Sequence, residues 1–156
     1  MYVSAKADYG MCAVIELARS YSTDGTKLVT SEHIAAEQQI PAKFLEGILR
    51  ELRQSDIVTS RRGPDGGYRL AKAPAEITVA DVIRALDGPL AAVKGQRPED
   101  VVHVNSALGD VWIALRAAMR SVLEEITLDQ VLDGNFDPEV QRLIDSPGAR
   151  HRRAHS

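Results

Sequence analysis

The run RRGPDGG at residues 61–67 restricts what this chain can fold into more than any other segment. Three glycines, a proline and an aspartate in so short a stretch break any helix. IVTS at 57–60 and YRLA at 68–71 alternate on either side, so the whole reads as a β-hairpin. It follows directly on two closely spaced helical patterns. Residues 31–39, SEHIAAEQQ, turn Ile34 and Ala35 inward, with Ser31 as the expected N-cap and Glu32 in the positive first turn. After a turn through Gln39 and Ile40, Pro41 opens a second helix over 42–54 whose apolar face is Phe44, Leu45, Ile48, Leu49 and Leu52. Two helices joined so tightly, with small Ala35 and Ala36 where they cross, form a helix-turn-helix, and the hairpin behind them is a wing.

The flanking segments complete a domain. Residues 5–21 place Met11, Val14, Ile15, Leu17 and Ala18 on a helical stripe that Ser4 can cap, and STDGTKLVT at 22–30 is a turn around Asp24 and Gly25 followed by a short extended pair. Beyond the hairpin, Thr78 caps a helix with Val79, Val82, Ile83 and Leu86 inward and Gly88 as its stop. Residues 88–104 mix Gly, Pro and charge without a sustained period, and a loop of that length is suspected of function. From Asn105 a stripe of Leu108, Val111, Trp112, Leu115, Met119, Val122 and Ile126 runs for about 22 residues, or roughly 33 Å of helix. One small domain has no use for so long an apolar face, and a second copy of the chain is the economical cover. A short helix starts at Thr127. The expected fold is mainly α with a small β-hairpin: a winged helix-turn-helix domain over 1–87, a sensor-type loop over 88–104, a dimerisation helix and short following helix over 105–134, and a flexible tail over 135–156.

Net charge is −3, which suits a nucleic-acid binder only once the charges are placed. Residues 43–72 carry seven Lys or Arg against four acids, whereas residues 76–139 carry five against twelve. Attraction to phosphate fades within about 8–10 Å at physiological salt, so a local basic face can act despite an acidic body. There is no uninterrupted apolar run long enough for a membrane span and no signal-like N-terminus, so a cytoplasmic protein without membrane partners is expected. The single cysteine, Cys12, excludes an intrachain disulfide framework and an all-cysteine metal site within one chain, and reads as a small buried helix residue. No nucleophile–base set, phosphate loop or metal motif argues for an enzyme.

Candidate contacts to DNA therefore gather on the second helix of the pair and on the wing. An α-helix fits the major groove, and Lys43 and Glu46 are exposed in its first turns: the lysine suits a guanine or a phosphate, the glutamate a cytosine amino group. Arg50 and Arg53, farther along, suit the sugar–phosphate backbone. On the wing, Gly63, Gly66 and Gly67 let the backbone bend sharply while Arg61 and Arg62 supply charge that a narrow A·T-rich minor groove would accept. Lys6, Ser31, Ser60 and Tyr68 complete the expected set. His33 is weighed between a phosphate contact and a surface or packing role, with the latter favoured, and His151 and His155 bracket two arginines in what reads as a solvated tail.

Together, KADYGMCAVIELA, IPAKFLEGILRELRQSDIV, RRGPDGGYRLA, ITVADVIRALDGPL and the Trp112 helix ending in ITLDQVL resemble the Rrf2 family of transcription regulators, the IscR, NsrR and CymR type, over residues 1–134. The resemblance implies a homodimer on a pseudo-palindromic double-stranded operator, the long helix crossing its partner, and a repressor is expected. It also implies base or groove contacts at Glu46 and Arg62, and operator choice altered at Lys43, a position that is often Ser in relatives.

The loop departs from that pattern. Cluster-bearing members place three cysteines between the helix before it and the long helix, and residues 88–107 have none. No cofactor is expected, and an iron–sulfur cluster least of all. Some relatives donate a non-cysteine ligand from helix one at the position of Asp8 or Cys12, and with His103 these two are the only metal candidates. The alternatives left open are a regulator that works mainly through a partner enzyme, one that answers a protein or small-molecule effector, and one that senses redox or metal through Asp8 and Cys12.

Overall fold

A computed structural model describes residues 3–151, and the arrangement is mainly helical with one antiparallel hairpin. Helix α1 (Ala5–Arg19) starts under Ser4, whose hydroxyl accepts from the Ala7 amide at 3.0 Å. Helices α2 (Ser31–Gln38) and α3 (Ala42–Gln54) follow, joined by a turn in which Gln39 takes a left-handed φ of 53°. The cap of α2 is Thr30 rather than Ser31: its hydroxyl accepts from the His33 amide at 3.2 Å, which makes Ser31 the first helical residue. Both neighbours have capping side chains, and the helix takes the earlier one.

Strands β1 (Val58–Arg61) and β2 (Gly67–Leu70) pair in register Val58 to Leu70 and Arg61 to Gly67. Val29 adds a further rung, exchanging backbone hydrogen bonds of 2.8 and 2.7 Å with Tyr68. Helix α4 (Val79–Asp87) carries a capping box in which Thr78 and Asp81 each accept from the other's amide.

The core lies where α1, α3 and α4 meet. Leu17, Ile34, Leu45, Ile48, Leu49, Leu52, Val58 and Val82 are fully buried there. At Gly10 a side chain would collide with Leu86 Cδ1 at 2.1 Å, so its absence lets α1 and α4 touch. Phe44, expected in this core, is 42 % exposed: it sits on the flank of the α3 stripe and meets the Tyr9 ring edge-on at 5.5 Å.

Past the core, the loop contains a single 3-10 turn at Pro98–Asp100, and α5 (Ser106–Leu123) begins under Asn105. Not one residue of α5 is buried. The helix ends before Ile126, so that residue does not belong to its apolar face. The chain there turns extended instead, Ile126 accepting from the Val79 amide at 2.8 Å and Ile77 from the Leu128 amide at 3.0 Å. Helix α6 (Leu128–Asp133) consequently returns to α1, with Leu128 completely enclosed in the winged unit rather than grouped with α5. A further helix, α7 (Pro138–Ile144), occupies part of the segment expected to be a loose tail, and its Val140 is buried. His155 and the arginines before it lie outside the described residues. No described helix is long and apolar enough to cross a membrane.

Candidate nucleic-acid interface

Lys43, Glu46, Arg50 and Arg53 fall at spacings of three, four and three, which puts them on one stripe of α3 opposite buried Leu45, Ile48, Leu49 and Leu52. All four are exposed. Glu46 and Arg50 pair across one turn at 3.8 Å, a loose surface contact worth little by itself. Arg53 Nη1 donates to Ser60 Oγ at 3.1 Å and so joins the last turn of α3 to the foot of the wing. Two of the predicted residues thereby serve orientation in the free protein.

Between these side chains lies Gly47, which sequence reading passed over. A methyl group there would have open space around it, so nothing inside the chain demands a glycine. In a helix interior it costs about 1 kcal/mol relative to alanine. A glycine on an outward helix face, with no internal need for one, is the signal that was available.

On the wing, Arg61 Nη2 donates to the Asp65 carbonyl at 3.1 Å, bracing the turn, while Arg62 is exposed with no hydrogen bond or ion pair among the described residues. The glycines have separate internal reasons. Gly63 sits at φ 108° in a region that side chains avoid. A Cβ at Gly66 would strike the Arg61 carbonyl oxygen at 2.2 Å, and one at Gly67 the Val29 carbonyl oxygen at 2.7 Å. Tyr68 is half-buried against the core, and its backbone holds Val29. Arg69, not anticipated, fastens the wing to the turn before α2, donating to Thr59 Oγ1 at 3.2 Å and to the Gly25 carbonyl at 2.6 Å.

Lys6 is engaged with Glu51 at 3.0 Å, across from α1 to α3. Ser31 hydrogen-bonds its neighbour Glu32 at 3.3 Å. A carboxylate that sequence reading did not single out organises the back of the helix pair: Glu16 is 3 % exposed and accepts from Gln38 Nε2 at 2.8 Å and Arg19 Nη1 at 3.4 Å. His33 Nε2 lies 3.6 Å from the same carboxylate, so the histidine, still half exposed, leans from the surface against α1. An acid inside the run Val14, Ile15, Leu17 and Ala18 was the clue, since a buried charge must find partners.

The metal candidates do not assemble. Among the described residues no three His, Cys, Asp or Glu side chains group closely enough to hold an ion, so Asp8, Cys12 and His103 do not converge on one point within one chain. Burial, with Asp8 adding to it, pushes the Cys12 thiol above its usual value, which disfavours the thiolate that binds metal or reacts with oxidants. One half-buried thiol and scattered oxygen and nitrogen donors do not fit an iron–sulfur cluster.

Residues 3–134 match the Rrf2 family, described as iron-dependent transcriptional regulators. The chain belongs to the Rrf2 family. Among curated Rrf2-type relatives, Rv1287 of Mycobacterium tuberculosis, provisionally named as an HTH-type transcriptional regulator, is 45 % identical over 157 residues, covering 99 % of this chain and 96 % of that one. CymR of Bacillus subtilis, an HTH-type transcriptional regulator, is 34 % identical over 131 residues, 84 % of this chain and 89 % of that protein. Solved Rrf2 structures agree: CymR, described as the global cysteine regulator of B. subtilis, superposes with a TM-score of 0.73 at 31 % identity over 87 % of this chain and 99 % of that one. IscR of T. potens does so at 0.69 and 32 % identity, covering 87 % and 89 %. The protein is an Rrf2-type transcriptional regulator with a winged helix fold, not an enzyme, and its family binds DNA.

Proposed function

We propose that the protein is a cytoplasmic homodimeric repressor that holds a pseudo-palindromic operator with two winged units and carries no iron–sulfur cluster. The observation that bears most weight is the outward stripe of α3 continued by the arginines of the wing, a basic face on a chain of net negative charge. In this reading Lys43 and Glu46 meet base edges in the major groove, Arg50 meets backbone phosphate, and Arg62 reaches into the adjacent minor groove. Glu46 keeps Arg50 close at hand and releases it as DNA approaches. Lys6, Ser31, Arg53, Ser60, Arg61 and the three glycines hold these groups in place or meet phosphate. Tyr68 supports the wing from behind.

Dimerisation is supported by α5. Leu108, Val111, Ile113 and Leu115 remain between 39 and 55 % exposed on a helix of 18 residues, an apolar surface that an isolated chain would leave in water. Trp112, Leu115 and Met119 border a cavity of about 880 Å³ shared with Ile83 and Leu90 of their own chain, and Val122 is half-buried, so the face offered to a partner centres on Leu108 and Val111. Freedom from a cluster is supported by the single thiol and its burial.

Fluorescence anisotropy with a duplex from the region upstream of its own gene tests the reading. Binding at low salt, weakening as salt rises, is the expected result. No binding at low salt would sink it. Arg62→Ala is expected to weaken the complex by about 1–3 kcal/mol without altering the melting temperature.

A further inference from the structure

Charge in the second half of the chain is unevenly placed. Residues 76–139 hold five basic side chains, Arg84, Lys94, Arg97, Arg116 and Arg120 being all of them, against twelve acids. Every one except Lys94 lines a single hollow of about 520 Å³ between the end of α4, the following loop and the side of α5. Gathering four guanidinium groups in one place is costly by mutual repulsion, and a segment this acidic had ample means to disperse them.

Two carboxylates offset part of that charge. Glu99 accepts from Arg116 at 2.5 Å, and Glu124 accepts from both Arg84 and Arg120. Hydrogen bonding to these arginines holds both carboxyl groups below the usual range, so they are ionised at neutral pH. Arg97 acts on Glu99 by charge without hydrogen-bonding to it. Four positive groups against two negative ones leave an excess of two, and each guanidinium has more N–H donors than one carboxylate can take. The hollow is open, polar where the arginines face it, and of the size that small-molecule sites have, roughly 300–1,000 Å³.

We propose that this hollow binds a small dianion, a compact phosphate-bearing or dicarboxylate metabolite whose oxygens take the donors that Glu99 and Glu124 leave free. Planar guanidinium forks recognise both groups in the same bidentate way. A ligand held by Arg84 on one side and by Arg116 and Arg120 on the other ties α4 of the winged unit to α5 at the joint between them. The site rests on the junction of those helices and stands or falls independently of the DNA reading.

Isothermal titration calorimetry on the full chain without DNA tests this, using inorganic phosphate and, separately, succinate, each against sodium chloride at matched ionic strength. One saturable site per chain for at least one of the two is expected, and which of them binds assigns the headgroup. Arg116→Gln combined with Arg120→Gln should weaken it at least tenfold. Lys43→Gln combined with Arg62→Gln should leave it unchanged, which separates this hollow from phosphate held on the DNA face. Should the first double variant fail to fold by circular dichroism, Arg97→Gln, a loop substitution that breaks no hydrogen bond to Glu99, is expected to weaken binding at least threefold. Absence of saturable heat with both anions, unchanged affinity in the folded hollow variants, or loss confined to the Lys43 and Arg62 variant would each overturn the proposal.

Discussion

Helices α3 and α5 carry the same kind of sequence, an apolar stripe at helical spacing, and end in opposite circumstances. Leu45, Ile48, Leu49 and Leu52 of α3 are all buried within the chain, while α5, the longer of the two, buries nothing. The apolar pattern alone states that a face must be covered. What covers it depends on the reach of the surrounding chain: α1, α4 and the wing surround α3, whereas α5 leaves the body along a loop and meets only that loop's 3-10 turn and the edge of α4 among the described elements it touches most.

That contrast can be broken by substitution. Leu49→Ala is expected to cost about 2–5 kcal/mol in chemical denaturation, because a closely packed core cannot close over the space. Leu108→Ala, the same chemistry on α5, is expected to change unfolding of dilute protein by no more than about 0.5 kcal/mol. An equal cost at both positions would mean that α5 is packed within its own chain. Next in size, Leu108→Asp with Val111→Asp should raise the dimer dissociation constant about a hundredfold or more, or roughly 2.7 kcal/mol, in sedimentation equilibrium, with the far-ultraviolet spectrum unchanged.

A smaller effect sharpens the comparison from the α3 side. Gly47→Ala should raise stability by about 0.5–1 kcal/mol while lowering operator affinity, since the helix gains a better former and loses its closest approach to the groove. Stabilisation with unaltered DNA affinity would remove Gly47 from the interface. The smallest change concerns the joint. Glu124 titrates below the ordinary carboxylate value, first through Arg84 and then through Arg120, so its contribution is present above about pH 4.3 and is lost as pH falls through the lower folded value. Glu124→Gln should therefore lower the melting temperature slightly at neutral pH, and the gap from wild type should close in acid.

Elements with a clean period were readable from sequence, and so was the stripe of exposed charge on α3, because both follow from local spacing. One misreading is local: Ser31 lost the cap to Thr30 by one residue of helix start. The others share a cause, which is that a neighbour in space decided them. Phe44 has the right spacing for the core yet leans onto Tyr9 at its edge. Ile126 continues the α5 stripe by number, but the helix stops three residues earlier and the backbone there pairs with the start of α4. The partners of Glu16 and the arginine hollow were not legible for the same reason, since each draws its members from segments far apart in sequence.

The backbone contact between Ile126 and Val79 carries one further consequence. The chain departs from the C-terminal end of α4 at Gly88 and is stitched back at the N-terminal end of the same helix, so loop and long helix together form an excursion whose two feet stand roughly 13 Å apart along nine residues. Closing such a detour costs little more when it is lengthened or rewritten. The reading head of the molecule is thus indifferent to what is threaded between those feet, and the detour is free to trade one chemistry for another, thiols for guanidinium groups, while the hairpin and its helix pair stay as they are.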